Sequence, residues 1–287
     1  MRWQLMVLKR AAFSRVPFNN AIRNLRRRWF GYPPDAHNLR GTLANLAQMK
    51  AALAVAGRAF EGATILELGS GWFPTIPIML SLGGARRIYT SDLVPHMDEI
   101  TFGATVAFLK TTFPEDRHLQ AMNRLADLPV TYLAPFDADQ IPDGSLDFVI
   151  SRTVLEHIPE SDLKRLLASL RRKLAPGGLM VHLVDHSDHL EHSDKSISRI
   201  NFLTWSSSKH AVINWLMCEG ENRLRHHQYH ALFSAAGYDV LHETAEIHEP
   251  TRRIASQLPL VAPYAAMSTE QLSIMTSIFV LSPQVRL

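Results

Sequence analysis

The stretch Ile65-Leu66-Glu67-Leu68-Gly69-Ser70-Gly71 joins a short apolar run to an acidic residue and two closely spaced glycines. Such a run reads as a buried strand. Glycines at its end let the chain turn tightly and let a ligand approach the backbone with no Cβ in the way, at the sheet edge where open α/β folds bind cofactors. Asp92 follows Gly71 by 21 residues, at the end of the next apolar run, Arg87 to Ser91. A carboxylate there is placed to accept hydrogen bonds from the two hydroxyls of a ribose.

Two nucleoside cofactors suit those residues. A dinucleotide site calls for a third glycine, which here falls at Pro74, and for an open helix N-terminus to receive the diphosphate. S-adenosylmethionine has no phosphate and carries a sulfonium cation, beside which Glu67 and Asp92 are favourable neighbours. Further along come Asp137-Ala-Asp-Gln-Ile-Pro142, Ser145-Leu-Asp-Phe-Val-Ile-Ser151, Val154-Leu-Glu-His-Ile158 and Leu174-Ala-Pro-Gly-Gly178. In order and spacing, these motifs and the first two resemble the class I S-adenosylmethionine-dependent methyltransferases, specifically over about residues 60 to 185. The resemblance implies a doubly wound, mostly parallel α/β sheet of seven strands with the last one antiparallel. It also implies that Glu67, Gly69 and Gly71 shape a methionine pocket and that Asp92, with Leu93 beside it, holds the ribose. Asp137 would face the adenine amino group with Ala138 beside the ring, and Ser151 and Arg152 would sit near the methionine end. Trp72-Phe73-Pro74 departs from the family, which usually has another glycine nearby.

The acceptor site belongs to the insertions, because the fold supplies only the cofactor site. The largest insertion follows the fifth strand and opens with Asp185-His-Ser-Asp-His-Leu-Glu-His192. Three readings of that cluster stand side by side. One of its histidines, His189 ahead of His186, acts as general base on a hydroxyl acceptor, imidazole having its pKa near working pH; chains that resemble this one carry an Asp-His pair where Asp188-His189 stands. The cluster ligates a divalent metal, although its spacing fits no fixed template and no metal is assigned. Or it is a solvated polar loop. His157 reads as a wall of the substrate site. In Glu221-Asn-Arg-Leu-Arg-His-His-Gln-Tyr229, Asn222, Arg223 and Arg225 could reach an anionic or sugar-like acceptor, or simply cap a solvated helix. Phe202, Trp205 and Trp215 suggest a partly apolar pocket or ordinary core packing. A small-molecule acceptor, O-methylated, is the expectation. The alternatives are a nicotinamide-dependent oxidoreductase and a noncatalytic cofactor-binding protein of the same fold.

These side chains need a frame. Short apolar runs at 63–68, 87–91, 130–134, 146–151 and 179–184 read as buried strands, with two more near 238–244 and 276–281. Helical segments between them argue for a parallel sheet. One helix is expected over about 38–59, and another over 159–174, with a proline and acids at its start and Gly177-Gly178 beyond its end. Residues 1–59 form an N-terminal helical extension and 60–287 a methyltransferase domain whose cap spans about 185–222.

Composition bounds the class. With 287 residues and 46% apolar content the chain can bury a full core, and its single cysteine, Cys218, excludes an internal disulfide framework. A reducing, cytoplasmic setting is expected. The net charge of +3 conceals eight basic and no acidic side chains in residues 1–34, leaving 22 basic against 27 acidic residues elsewhere. A mildly acidic body argues against a nucleic-acid partner, which would call for basic charge spread over the catalytic surface. The basic head mixes arginines with Trp3, Leu5, Leu8, Phe13 and Phe18. It reads as a peripheral membrane contact through residues 1–30, as a helix packed on the core, or as a transit peptide.

Overall fold

The computed structural model describes residues 2–14, 36–218 and 220–284. The strands are β1 (Thr64–Leu68), β2 (Arg87–Ser91), β3 (Val130–Leu133), β4 (Leu146–Arg152), β5 (Leu174–Asp185), β6 (Tyr238–Ile247) and β7 (Ile274–Pro283). They form one sheet in the order β3-β2-β1-β4-β5-β7-β6, parallel except for β7, which runs antiparallel to both its neighbours. The helices are α1 (Trp3–Ser14), α2 (Ala36–Val55), α3 (Thr75–Leu82), α4 (Glu99–Thr112), α5 (Arg117–Ala121), α6 (Glu160–Lys173), α7 (His189–Ser193), α8 (Ser207–Met217), α9 (His226–Ala235), α10 (Glu249–Ile254) and α11 (Thr269–Ser273).

The period-two alternation of strands sorts the core. Leu66, Val149, Met180 and Phe279 face α6 and α9, whereas Ile65, Phe148, Val181 and Val280 face α2 and α3. In α6 a stripe of Leu163, Leu167 and Leu170 is fully buried, each worth roughly 1.5–3 kcal/mol. Glu160 and Asp162 in its first turn and Arg171 to Lys173 in its last complement the helix dipole. Helix α2 contributes Leu46, Met49 and Leu53 to the sheet's own core. Strand β5 begins at Leu174, five residues before the apolar run, because Leu174 pairs with Leu146 across an irregularity that takes in the two glycines.

A third core lies at the carboxyl ends of the strands. Val7 of α1, Phe202, Trp205 and Ile213 of the segment after β5, and Ala255, Tyr264 and Leu272 of the segment after β6 pack together as a cap. The Trp3 ring stacks on Trp205 at 5.2 Å, and the Trp3 N–H donates to Asp194 at 2.7 Å. The part of the head present here therefore packs on the cap. Arg15 to Arg28, Pro17 and the Gly31 to Pro34 stretch lie outside the described residues. Among the described residues, no helix is long and apolar enough to cross a membrane.

Arg225 fastens the cap to the sheet. The expectation that it reaches an acceptor is corrected: it is fully buried, and α9 starts only at His226. Its guanidinium donates to the carbonyls of His186 (2.5 Å), Leu272 (3.0 Å) and Ile274 (2.7 Å), binding the end of β5 to the start of β7. The fork of donors matches acceptors that would otherwise be buried without partners. Replacing it by methionine is predicted to cost about 3 kcal/mol or more, since each stranded carbonyl carries its own desolvation penalty. Lysine, a single point donor, should not restore the loss. Chemical denaturation measures it, and a loss for Arg225→Met below about 1 kcal/mol would contradict the assignment.

Candidate active site

The parallel register brings Leu68, Ser91 and Ser151 level at the carboxyl edge, so the loops after β1, β2 and β4 converge. Gly69 has φ +73°, and a Cβ there would run into Val154 of the β4 loop. Gly71 has φ +60° and open space where its Cβ would stand. The Asp92 carboxylate accepts the Gly71 N–H at 2.9 Å and the Leu93 N–H at 2.7 Å. The Phe136 N–H donates to the Asp92 carbonyl at 2.9 Å, drawing in the loop that holds Asp137 and Ala138. Asp137 is exposed and caps the short turn 138–140. Leu93 is 81% exposed, and its contribution here is its backbone. The Trp72 ring stacks on His96 at 4.1 Å beside this edge.

Between the β1 and β4 loops and α2 lies a cavity of about 270 Å³, lined by Glu67, Gly69, Gly71, Thr75, Arg152 and Val154 among others. Glu67 is 2% exposed, and burial pushes its carboxyl up to about 7 against a hydrogen bond from Thr90 Oγ1. A cation next to it would restore its charge. Two buried donors on the wall, Arg152 Nε and Thr75 Oγ1, have no hydrogen-bond partner among the described residues. An open glycine cradle, an underused carboxylate and two unpaired donors suit a ligand that carries both a cation and a carboxylate, as the methionine end of S-adenosylmethionine does.

Arg152 joins this cavity to a second group of charges. Burial lowers the pKa of its guanidinium, and Glu156, Glu67 and Asp185 oppose that change. Glu156, 5% exposed, is pushed up to about 8 by burial; its Oε1 accepts the Asp185 N–H at 3.3 Å and its Oε2 has no hydrogen-bond partner among the described residues. His189 Nδ1 lies 2.9 Å from Glu221 Oε1, and its Nε2 faces Asp185 Oδ2 at 3.7 Å. Burial disfavours the imidazolium, yet the Asp185 and Glu221 carboxylates outweigh it and raise the pKa to about 11. His189 therefore stands protonated at neutral pH, not poised near 7 as its residue type suggests. Asp185 resists burial through His189 and Ser187, which hold its carboxyl well below the usual range. Asp188 is pushed up to about 7 by burial and by the charge of Glu221. The His157 ring lies tilted 4.9 Å from that of His189, and its Nδ1–H donates to the Gly220 carbonyl at 2.8 Å.

Several expected residues turn to other roles. His186 is 3% exposed; Leu224 O (3.1 Å) and Ser277 Oγ (2.9 Å) take both its ring nitrogens, and burial drives its pKa down to about 3. It faces the protein interior, so its choice as a catalytic group is corrected. The Ser151 hydroxyl is buried against His182 Nδ1 at 2.8 Å rather than directed into the cavity. Asn222 donates to the carbonyls of Leu155 (2.8 Å) and Ile158 (3.0 Å). Arg223 donates to those of Phe202 (3.2 Å) and Trp205 (2.8 Å) and lies over the Tyr264 ring. Both hold loops together instead of reaching out to an acceptor. Phe202 and Trp205 fill the cap core, and Trp215 is 67% exposed, so these aromatics do not line the site. Glu156 and Glu221 were missed, although the motif Leu-Glu-His-Ile already set an acid beside His157.

A family model described as a methyltransferase domain matches residues 36–243, and the chain belongs to that family. With this fold, it is a class I S-adenosylmethionine-dependent methyltransferase, and the nicotinamide and noncatalytic alternatives give way. No curated protein matches the chain. Similar solved structures include magnesium protoporphyrin IX methyltransferase from Synechocystis PCC 6803 with bound S-adenosylhomocysteine, at 14% identity over 96% of this chain and 100% of that one, with a TM-score of 0.49. Another is an S-adenosylmethionine-dependent methyltransferase from Mesorhizobium loti, at 17% identity over 80% and 95%, with a TM-score of 0.45. A third is phosphoethanolamine N-methyltransferase 2 from Haemonchus contortus, at 17% identity over 83% and 53%, with a TM-score of 0.46.

Asp92→Ala is predicted to lower S-adenosylhomocysteine affinity more than about tenfold, because charge-assisted hydrogen bonds of roughly 1.5–3 kcal/mol each are lost. Calorimetric titration decides it. Unchanged affinity would remove Asp92 from the cofactor site.

Proposed function

We propose that this methyltransferase methylates an oxygen of a small, hydroxylated organic molecule and that His189 accepts the proton released. The bound cofactor supplies a methyl group made electrophilic by its sulfonium. As the acceptor oxygen took that methyl group, His189 Nε2 would accept the hydroxyl proton. Asp92 would hold the ribose hydroxyls, Asp137 and Ala138 would flank the adenine, and Arg152 with Thr75 would pair with the methionine carboxylate. Glu67 would stand as counter-charge to the cationic end of the cofactor.

The observation that carries this reading is the His189 geometry. Glu221 at 2.9 Å fixes the ring through Nδ1 and leaves Nε2 facing Asp185 across 3.7 Å, where a hydroxyl can compete for it. The surrounding side chains Glu156, His157 and Asp185 are polar, which supports a hydrogen-bonding acceptor over an apolar one. Most of the rate would come from holding the oxygen in line with the methyl, proton transfer adding a smaller factor.

The raised pKa fixes the pH dependence. A base must be neutral, and below about 11 the neutral fraction of His189 grows about tenfold with each pH unit. Turnover is therefore predicted to climb through the neutral and alkaline range. Glu221→Gln keeps a hydrogen-bond acceptor but removes a charge, so the climb should move to lower pH. His189→Ala should lower turnover by about two to four orders of magnitude at unchanged S-adenosylhomocysteine affinity. Steady-state kinetics against a panel of hydroxylated acceptors tests all three. A flat profile together with near wild-type turnover of His189→Ala would point to an oxygen already ionised before it binds.

A further inference from the structure

On α9, His226 and His230 stand one helical turn apart and face Glu243 of β6. His226 Nε2 lies 3.4 Å and His230 Nε2 2.5 Å from the same oxygen, Glu243 Oε2. One ligand atom from each of the three residues falls within 4.8 Å of the other two. None of these side chains takes part in the methyl-transfer site.

The proton on His226 can be traced from a fixed end. The Leu224 carbonyl only accepts, so His186 donates to it through Nδ1 at 3.1 Å and leaves Nε2 as an acceptor. Ser277 Oγ must then give its single proton to His186 Nε2 at 2.9 Å. Its remaining capacity is to accept, and it accepts the His226 Nδ1–H at 2.8 Å. In the neutral ring His226 Nε2 then carries a lone pair directed at a carboxylate oxygen, a contact that a cation between them would satisfy. Burial of His186, which keeps its ring neutral, supports the same order of protons.

We propose that His226, His230 and Glu243 bind a zinc ion that clips α9 to β6. Two imidazole nitrogens and one carboxylate are a zinc donor set, and the half-exposed position of His230 leaves a fourth site for water. Tetrahedral ligands at zinc distances are about 3.4 Å apart, which is the spacing already present between His226 and Glu243. His230 has to open by only about 1 Å from its present contact to match it. The hydrogen bond from Nδ1 to Ser277 is the outer support that zinc-bound histidines have, holding ring and tautomer. The ring also stacks on Phe279 at 5.0 Å, so its orientation is fixed before any ion arrives.

Chelator-treated full-length protein titrated calorimetrically with zinc chloride tests the proposal. One zinc per chain is expected, with a rise in melting temperature on binding. His230→Ala and Glu243→Gln, at partly exposed positions, should each weaken zinc at least tenfold and abolish that rise while S-adenosylhomocysteine binding stays unchanged. His157→Ala should leave zinc binding intact, which separates this site from Glu156, His157 and His189 beside the cofactor. Absence of zinc binding, binding indifferent to both substitutions, or binding lost in His157→Ala alone would overturn the assignment.

Discussion

The half-buried charge of Arg152 at the carboxyl edge of the sheet constrains the groups around it. A guanidinium withdrawn from water needs anionic partners, and Glu67, Glu156 and Asp185 provide them from three different strand ends. Glu67 and Glu156 are themselves buried, and burial drives both carboxyls toward the protonated form, whereas His189 and Ser187 keep Asp185 ionised. The cluster spans the divide between the glycine-lined cavity and the histidines beyond Glu156. A change of charge on either side, such as an arriving sulfonium or a departing proton, therefore acts on shared neighbours.

Geometry is held by backbone groups rather than by the acids. Asp92 ties the loops after β1 and β2 through two N–H groups, and Gly69 lets the β4 loop close against the first of them. The cap is a separate body with its own apolar core, and Arg225 fixes it to β5 and β7 through three carbonyls. Without that attachment, Asp185 and His189, which stand where β5 enters the cap, would lose their register to the sheet. A sheet edge held by glycines and Asp92, with a cap assembled from distant segments, is an arrangement that allows the cap to vary while the sheet edge stays fixed.

Strands β1, β2, β4, β5 and β7 were readable because each carries a short apolar run buried on both faces, and all seven strands appear within a few residues of expectation apart from the early start of β5, although β3 and β6 at the sheet edges are more exposed. The turn after β1 was readable for a related reason, since Gly69 and Gly71 both take positive φ and Asp92 accepts the Gly71 N–H. The cap was readable only as an insertion after β5, because its core also draws Val7, Ala255 and Tyr264 from other parts of the chain. His189 was visible as a histidine at a strand end, but its partner Glu221 lies 32 residues away, and that distant carboxylate helps determine its protonation. His186, Asn222, Arg223 and Arg225 show the converse. Polar residues in a functional-looking stretch can be wholly engaged by carbonyls that no local pattern reveals.

The most direct measurement of the central claim is a crystal structure of the full-length protein with S-adenosylhomocysteine bound. The ribose hydroxyls are expected on Asp92, the amino-acid end against Arg152 and Thr75, and the sulfur facing the side of the cavity toward Glu156 and His189. A cofactor bound with its sulfur directed away from that cluster, or with Asp92 bonded only to Gly71 and Leu93, would contradict the account.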